Sequence, residues 1–424
     1  MGRIFSQAPD GGALRRNLIA AVGAAGAACA ALALILALIP AGTPAAAAVT
    51  TAATPKASPS AASFQLPAVR HVFVIMLENE NLASTFGDPS ADPYLATTLP
   101  AKGAFLSDYY ATGHESNDNY ISIVSGQPPN PENQADCQIF DDFTGADLLS
   151  DGVESGAGCV YPTGVQNIGN QLSSAGLNWK AYEEDMGNDP NRETAACGHP
   201  TLNSQDQTQD AVAGDGYATR HDPFVYFHSV IDDQTYCDDH VVALGSPTGA
   251  MPAAALTGET GLATDLKKVS TTPAFSFITP NLCDDGHDYP CTNQASGSSA
   301  LADIDTFLET WVPMITSSPA FKENGLLEIT FDESDGPQSD SSSCCGEEPG
   351  PGDSPLPGIT GPGGGLVGAV LLSPFIKPGT ISATPYNHYS SLASWETLFG
   401  LPRLAYAASV PATFGSDVFT AVKG

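Results

Sequence analysis

Four short runs of almost continuously apolar residues constrain the fold of this chain more than any other feature. They cover residues 69–77, 274–279, 326–331 and 366–372. Apolar runs of this length are typical of parallel strands that are buried on both faces of a sheet. Segments with helical periodicity lie between or after them, at residues 168–175, 301–315 and 390–398. This alternation predicts an α/β fold with a mostly parallel, doubly wound central sheet flanked by helices.

The first 48 residues differ in composition from the rest of the chain. Arg3, Arg15 and Arg16 precede an apolar run at residues 18–39, and a small-residue stretch follows Pro40. This order predicts an export signal in residues 1–48, and the paired arginines fit a twin-arginine signal. An uncleaved anchor is the alternative, because a run of about 20 apolar residues can span a bilayer.

The remaining chain is predicted to be a short linker followed by one domain. Residues 49–65 are rich in Thr, Ala, Pro and Ser, which is typical of a linker, and residues 66–424 have the composition of a single globular domain. We therefore expect a secreted protein with no stable membrane span after signal cleavage. If the signal is retained, the protein is expected to be anchored at the cell surface.

The charge balance excludes one class of partner. The 424 residues include 47 Asp and Glu but only 15 Lys and Arg, giving a formal charge of -32. So few cations leave no basic stripe for a phosphate backbone, so nucleic-acid binding is not expected. An apolar content of 42% excludes a disordered acidic tail.

The cysteines agree with export. Cys29 lies in the predicted signal, and eight cysteines remain beyond it. An even number in an exported chain predicts disulfide bonds, and Cys283–Cys291 is a plausible local pair among the 105 possible connectivities. A zinc cluster is the alternative, although the chain has no C-x-x-C pair.

Polar residues follow three of the predicted strands at the point where each one ends. Glu78 and Asn79 follow the first, Asp332 and Glu333 follow the third, and the second leads into the acidic segment 281–288. Ligand sites of open α/β sheets form beyond the carboxyl ends of the strands. Any single acid could cap a helix or face solvent. Together, these oxygen donors predict a site for a divalent cation.

Two further residues lie where helices are predicted to begin. Ser116 precedes the apolar helical stretch 121–125, and His388 precedes the helical segment 390–398. A helix N-terminus favours an anion such as phosphate, and a metal beside Ser116 would make its hydroxyl a nucleophile. The alternatives are an ordinary N-cap for Ser116 and a structural role for His388.

Five segments in the same order resemble the bacterial phosphoesterase family that includes acid phosphatases and phospholipases C. They are HVFVIMLENENLASTFG at residues 71–87, GHESNDNYISIVSGQ at 113–127, ITPNLCDDGHD at 278–288, ITFDESD at 329–335 and YNHYSSLASWETLFGL at 386–401. The family belongs to the alkaline-phosphatase-like superfamily. The resemblance therefore implies a three-layer sandwich with a metal-assisted site for phosphoryl or sulfuryl transfer.

The resemblance also implies roles for individual residues. The metal ligands would be Glu78, Asn79, Ser116, Asp332 and Glu333, with Asp285 a weaker candidate, and the metal would be Ca, Mg, Mn or Zn. Ser116 would also be the nucleophile, and Asn119 would contact phosphate oxygens. His287 and His388 would serve the leaving group and the attacking water or bind a second metal, and His114 would orient the phosphoryl group. Glu333 departs from related superfamily members, which can carry Asp or His there.

The predicted function is hydrolysis of phosphate monoesters through a phospho-serine intermediate. The expected substrates are small phosphate esters or phospholipid head groups, and protonated histidines would give a mildly acidic optimum. A phospholipase C-type phosphodiesterase is the alternative, followed by an inactive metal-stabilised surface-binding module. The sequence contains no G-x-S-x-G, no G-x-x-x-x-G-K-[ST] and no H-E-x-x-H, which disfavours the lipase triad, the P-loop and the commonest metalloprotease helix.

Overall fold

The computed structural model describes residues 64–291, 299–351 and 356–421. The predicted export signal and nearly all of the predicted linker lie outside these residues. Within the part of the chain that is described, no helix is both long and apolar enough to cross a membrane.

Most of the strands form one eight-stranded sheet, with the order β13-β2-β12-β11-β1-β10-β7-β9. Seven of the eight strands run in one direction, and β12 alone is antiparallel to its neighbours. The strands are β1 (His71–Leu77), β2 (Ala104–Leu106), β3 (Tyr109–Tyr110), β4 (Ile139–Phe140), β5 (Thr144–Leu148), β6 (Glu154–Ala157), β7 (Trp179–Glu183), β8 (Ser204–Gln205), β9 (Val241–Ala243), β10 (Phe275–Thr279), β11 (Gly325–Phe331), β12 (Ala369–Leu372), β13 (Thr380–Ser382) and β14 (Tyr386–Asn387). The predicted mostly parallel sheet is confirmed.

Helices connect and cover these strands. They are α1 (Leu82–Thr85), α2 (Leu99–Lys102), α3 (Ser116–Ser125), α4 (Ile168–Ser174), α5 (His228–Ile231), α6 (Gln234–His240), α7 (Leu262–Asp265), α8 (Ala300–Ser317), α9 (Pro319–Asn324) and α10 (His388–Phe399). A π-helical turn covers Tyr94–Thr98, and short 3₁₀ helices cover Asn133–Ala135, Thr219–His221, Pro223–Tyr226 and Ala405–Ala408. The three predicted helical segments correspond to α4, α8 and α10.

Helices pack on both faces of the sheet. On one face, the ring of Phe73 in β1 lies 6.4 Å from that of Phe321 in α9. Successive residues of a strand point to opposite faces, so Val74 points away from the face that carries Phe73. Glu328 of β11 is paired with Val74 and lies on that second face. Its carboxylate accepts a 2.9 Å hydrogen bond from Trp395 Nε1 in α10, on the other face. This arrangement confirms the predicted helix–sheet–helix layers.

Two features of the sheet differ from the pattern read in the sequence. The apolar run at residues 366–372 forms β12, which is antiparallel, because an apolar run reports burial on both faces and carries no information on strand direction. Strand β7 has no apolar run because Lys180 interrupts it. The Lys180 Nζ reaches Asp265 Oδ2 at 2.8 Å, so its charge is paired while its stem covers apolar surface.

The eight remaining cysteines form four disulfides. These are Cys137–Cys159, Cys197–Cys237, Cys283–Cys291 and Cys344–Cys345. The predicted local pair Cys283–Cys291 is present, and the zinc alternative is excluded for these cysteines. The last pair joins neighbouring residues within the long loop between β11 and β12.

Candidate active site

Glu78 lies at the centre of a buried polar cluster at the carboxyl edge of the sheet. It follows the last residue of β1, where its N–H donates to the carbonyl of Asp285 at 2.9 Å. Its side chain is fully buried, and its Oε2 accepts a 3.1 Å hydrogen bond from the Ser116 hydroxyl. The backbone hydrogen bond therefore joins the end of β1 to the loop after β10, and it brings Glu78 and Asp285, two predicted site residues, into contact.

The second strand end contributes Asp332 and Glu333, which hold Asn79. Asp332 Oδ1 accepts hydrogen bonds from the N–H groups of Asn79 at 3.0 Å and of Glu333 at 2.6 Å. The Asn79 Nδ2 donates to Glu333 Oε1 at 2.7 Å, which leaves the amide oxygen of Asn79 available as a donor to a cation. Asn79 has a φ of 51°, a left-handed conformation that asparagine tolerates better than most residues.

Ser116 is the first residue of α3, as the sequence predicts. The side chain is 2% exposed, and the helix continues to Ser125, where Gly126 ends it in the left-handed conformation with a φ of 74°. The N–H of Asn117 in the first turn donates to Asp136 Oδ1 at 3.0 Å. Part of this helix terminus is therefore already bound to a carboxylate.

His221 and Asp285 complete a group of potential metal ligands with Glu78. Ligand atoms of the three buried residues all lie within 4.8 Å of one another. His221 Nδ1 is 3.2 Å from Asp285 Oδ2, and its Nε2 is 3.5 Å from Glu78 Oε1. The ring stacks on Tyr120 with centroids 5.0 Å apart. His221 was not among the residues predicted from the sequence.

Arg220 and His287 lie next to this group. The Arg220 Nη2 is 3.1 Å from His287 Nε2, and His287 Nδ1 is 2.8 Å from Asp288 Oδ1. Because a guanidinium can only donate hydrogen bonds, Nε2 of His287 is the acceptor and Nδ1 carries the proton. Arg220 is 2% exposed; its Nη1 donates to the carbonyl of Gln209 at 2.8 Å, and its Nε lies 3.9 Å from Asp136 Oδ2. Arg220 therefore places a cation on an otherwise acidic wall.

The structure places His114 behind Glu333. Its Nε2 donates to the carbonyl of Asp340 at 2.9 Å, and its Nδ1 is in contact with Glu333 Oε2. Burial lowers the pKa of His114, whereas burial and the charge of Asp332 raise the pKa of Glu333. Both ring nitrogens of His114 are therefore occupied by the protein itself, and its position is that of a support for Glu333.

His388 and Asn119 also lie one layer behind the cluster. The Nε2 of His388 donates to the carbonyl of Phe331 at 3.1 Å, and its Nδ1 is 3.3 Å from Thr112 Oγ1. Asn119 accepts from the N–H groups of Thr112 and Gly113 and donates to two carbonyls of the same loop. Their side chains thus hold the segment that leads to Ser116. The predicted contact of Asn119 with phosphate, and the predicted role of His388 toward a second metal, the leaving group or the attacking water, stay predictions.

The chemistry of the cluster fits a bound divalent cation. Burial raises the pKa of Glu78, and the carboxylates of Asp332 and Asp285 raise it further. Several buried atoms lack hydrogen-bond partners among the described residues: both ring nitrogens of His221, Asp285 Oδ2 and Asp332 Oδ2. Burying carboxylates that repel one another, and polar atoms that lack hydrogen-bond partners, costs free energy unless a positive charge lies between them. The carboxylates and the imidazole are donors that a divalent cation accepts.

Three residues of the site were missed from the sequence: Tyr120, Arg220 and His221. The sequence does not single out Arg220 and His221, because the same Arg–His pair also occurs at Arg70–His71, outside the site. Nor does it single out Tyr120, whose position on α3 does not distinguish it from a core tyrosine.

Comparisons with known proteins identify the family of this chain. The model of the Phosphoesterase family matches residues 90–402. Phosphatidylinositol-3-phosphatase of Mycobacterium tuberculosis is 23% identical over 350 residues, covering 82% of this chain and 83% of that protein. The probable acid phosphatase of Kluyveromyces lactis is 26% identical over 339 residues, covering 80% of this chain and 60% of that protein. The phosphate-repressible acid phosphatase of Penicillium chrysogenum is 26% identical over 326 residues, covering 76% of this chain and 58% of that protein.

The comparison with solved structures also gave a match. A protein of the alkaline phosphatase superfamily from Vibrio parahaemolyticus has a TM-score of 0.45 and 14% identity, covering 78% of this chain and 67% of that chain.

The match to the family model extends over most of the chain and defines the class of protein, an enzyme that hydrolyses phosphoric esters. The chain belongs to the phosphoesterase family, as the sequence predicts. It spans only about 60% of the length of the two fungal relatives.

Proposed function

We propose that the protein is a secreted, metal-dependent phosphomonoesterase that transfers a phosphoryl group first to Ser116 and then to water. The observation that carries this proposal is the 3.1 Å hydrogen bond from the Ser116 hydroxyl to Glu78. It places a potential nucleophile directly beside the buried group of Glu78, His221 and Asp285. The four disulfides support export, since disulfides persist in oxidising surroundings.

The cation would be held by Glu78, His221, Asp285 and Asp332, with Asn79, Ser116 and Glu333 as the further ligands that the sequence predicts. When bound, a divalent cation supplies positive charge that lowers the pKa of a nearby hydroxyl and offsets charge on the phosphoryl oxygens. Donors of both nitrogen and oxygen type are compatible with Ca, Mg, Mn or Zn, and their chemistry does not select among these ions.

The protein's own residues divide the remaining chemistry. Ser116 Oγ forms a bond to phosphorus as its proton passes to Glu78 Oε2, its hydrogen-bond acceptor, and the ester P–O bond breaks. Arg220 is placed to offset charge on the phosphoryl group. When a second proton is bound at Nε2, in place of the hydrogen bond that this nitrogen accepts from Arg220, His287 gives that proton to the leaving oxygen, and Asp288 stabilises the imidazolium. Water then attacks phosphorus and gives one proton to His287, the bond between phosphorus and Ser116 Oγ breaks, and Oγ takes back the proton from Glu78.

The other histidines do not suit the role of a proton donor. Burial lowers the pKa of His388 to about 4, and burial together with the charge of Arg220 lowers the pKa of His221 well below its usual value. His388 therefore stays neutral in mildly acidic solution. The proton donor proposed here is His287, whose side chain is 28% exposed.

The names of the relatives favour phosphate monoesters as substrates. One relative is a phosphatidylinositol-3-phosphatase and two others are acid phosphatases. We infer that the substrates are small phosphate esters and phosphoinositide head groups, and we keep a phospholipase C-type phosphodiesterase as the alternative function.

The decisive experiment compares Ser116→Ala with Ser125→Ala, the same substitution at the far end of α3. Hydrolysis is measured on p-nitrophenyl phosphate, on phosphatidylinositol phosphates and on phosphatidylcholine between about pH 4 and 9, before and after chelation and metal restoration. We expect Ser116→Ala to lose turnover while remaining folded, and Ser125→Ala to retain it. Acid-quenched enzyme should carry one phosphoryl group on Ser116.

Three results would overturn parts of this proposal. Turnover in Ser116→Ala near that of the unmodified enzyme would exclude Ser116 as the nucleophile. Hydrolysis that survives complete chelation would exclude the metal. Cleavage of phosphatidylcholine with no activity on monoesters would identify a phosphodiesterase instead, and metal-dependent stability without any turnover would identify a binding module.

A further inference from the structure

A second cleft lies at the opposite edge of the sheet. It has a volume of ≈550 Å³ and is formed where α2, α8, α9 and the end of β12 meet. Ser373, on its wall, donates to the carbonyl of Gly325, the first residue of β11, at 2.7 Å. The seven residues of β11 span roughly 20 Å, so this cleft is separated from the candidate active site by the length of the strand.

The lining combines an apolar floor with two of the protein's few cations. Val312, Phe321 and Leu372 contribute side chains that are at most 7% exposed. Lys102 and Lys322 stand exposed at its margin. The described residues contain ten lysines and arginines in all, so two in one cleft of a strongly acidic protein is a marked local concentration.

The two lysines of the cleft differ in their surroundings from Lys180 and Arg192. Lys180 forms an ion pair with a carboxylate at 2.8 Å, and Arg192 forms one at 2.7 Å. Lys102 instead lies over the ring of Tyr94, with its Nζ 5.2 Å from the centroid. The charges of Glu309 and Asp305 act on the same tyrosine, so the cleft is not uniformly positive. This balance suits a ligand with one negative charge better than a polyanion.

We propose that this cleft binds an amphiphilic organic anion, a molecule with one carboxylate or sulfonate group and an apolar body such as a medium-chain fatty acid. The apolar body packs on Val312, Phe321 and Leu372, and the acid group is attracted by Lys102 and Lys322. The volume lies within the range of about 300–1,000 Å³ that is usual for small-molecule sites. Charge complementarity selects an anion, since a protein with a charge of -32 repels anions elsewhere on its surface.

The test uses the full-length protein and the fluorescent anion 1-anilinonaphthalene-8-sulfonate, with octanoate as competitor. Lys102→Glu/Lys322→Glu reverses both charges at the cleft. Lys267→Glu/Lys268→Glu makes the same change in net charge at a loop outside it. Thr316→Trp fills the cleft from α8 without altering charge. Hydrolysis of p-nitrophenyl phosphate reports whether each variant is folded, because none of these residues belongs to the candidate active site.

We expect saturable binding of the probe that octanoate displaces and the uncharged octanol does not. The affinity should fall at least tenfold in Lys102→Glu/Lys322→Glu and in Thr316→Trp, and by less than about threefold in Lys267→Glu/Lys268→Glu. Equal losses in the two charge-reversal variants would show a general effect of net charge and overturn the proposal. So would displacement by octanol as effective as by octanoate, or binding unchanged in Thr316→Trp.

Discussion

Tyr120 and Glu78 are joined by a short hydrogen bond on the wall of the candidate active site: the phenol donates to Glu78 Oε1 at 2.5 Å. Ser116 donates to the other oxygen of the same carboxylate, so the two residues of α3 hold it from both sides. The ring of Tyr120 also stacks on His221. One side chain therefore orients two potential metal ligands that come from different parts of the chain.

Replacing Tyr120 with Phe should weaken metal binding while leaving the fold intact. The variant keeps the ring that stacks on His221 and loses only the hydroxyl that orients Glu78. Loss of such a supporting hydrogen bond typically costs about 10–100-fold in metal affinity or activity. The concentration of metal that restores half of the hydrolytic activity after chelation measures the effect.

Tyr226→Phe is the matched control, since the hydroxyl of Tyr226 is buried without a hydrogen-bond partner among the described residues. It should need no more metal than the unmodified enzyme. An unchanged metal requirement in Tyr120→Phe would contradict the orienting role.

Asp288→Asn should lower kcat and change KM little. The carboxylate of Asp288 accepts the Nδ1–H of His287, which directs Nε2 of the ring toward Arg220. An amide in its place stabilises the imidazolium less and can turn its N–H₂ group toward the ring. We expect kcat to fall by about one to two orders of magnitude, with a shifted pH profile.

The control for this substitution is Asp210→Asn, an exposed carboxylate in the neighbouring segment. The kcat and KM of this variant, measured over the same pH range, should equal those of the unmodified enzyme. If Asp288→Asn altered only KM, or kept the pH profile of the unmodified enzyme, Asp288 would not act through His287.

Glu328→Gln should flatten the dependence of stability on pH. Burial raises the pKa of Glu328 to about 7, although Ser391 and Trp395 donate hydrogen bonds to its carboxylate. A raised pKa means that the folded state binds the proton more tightly than the unfolded state, in which the pKa is near 4.5. The contribution of Glu328 to the free energy of unfolding is therefore greatest below about pH 4.5. It falls by roughly 3 kcal/mol as the pH rises to about 7.

The measurement is denaturant unfolding at several pH values in this range, with Glu323→Gln on the exposed side of α9 as the control. The glutamine removes the titrating group and retains a carbonyl that accepts from Trp395. The slope should shrink in Glu328→Gln and persist in Glu323→Gln. Identical slopes in the two variants would show that other groups set the pH dependence.

The two disulfides that differ most in loop length should differ in their contribution to stability. Cys197 and Cys237 are 40 residues apart, and closing such a loop lowers the entropy of the unfolded chain by an amount worth about 4 kcal/mol. Cys344 and Cys345 are adjacent and close almost no loop. The double alanine variant of the first pair should therefore unfold at much lower denaturant concentration than that of the second. Equal midpoints would contradict this account.

Much of the site was predictable because its residues follow elements with strong local patterns. Glu78 and Asp332 come directly after buried strands, and parallel strands deliver their carboxyl ends to one edge. Ser116 precedes a helical stretch, and the structure makes it the first residue of α3. His114 and His388 show the limit of the same reasoning, since a motif position does not tell whether a ring faces the ligand or supports a neighbour from behind.

The amino-acid sequence alone determined the class of sheet, the strand ends that carry the acids, the nucleophile candidate and the family. These follow from burial patterns, residue order and motif spacing, which are properties of neighbouring residues. Only the tertiary structure decided that His221 joins Glu78 and Asp285, that Arg220 faces His287 and that β12 runs against its neighbours. The physical reason is that these contacts join residues far apart in the chain, and their distances are set by how the loops close over the sheet.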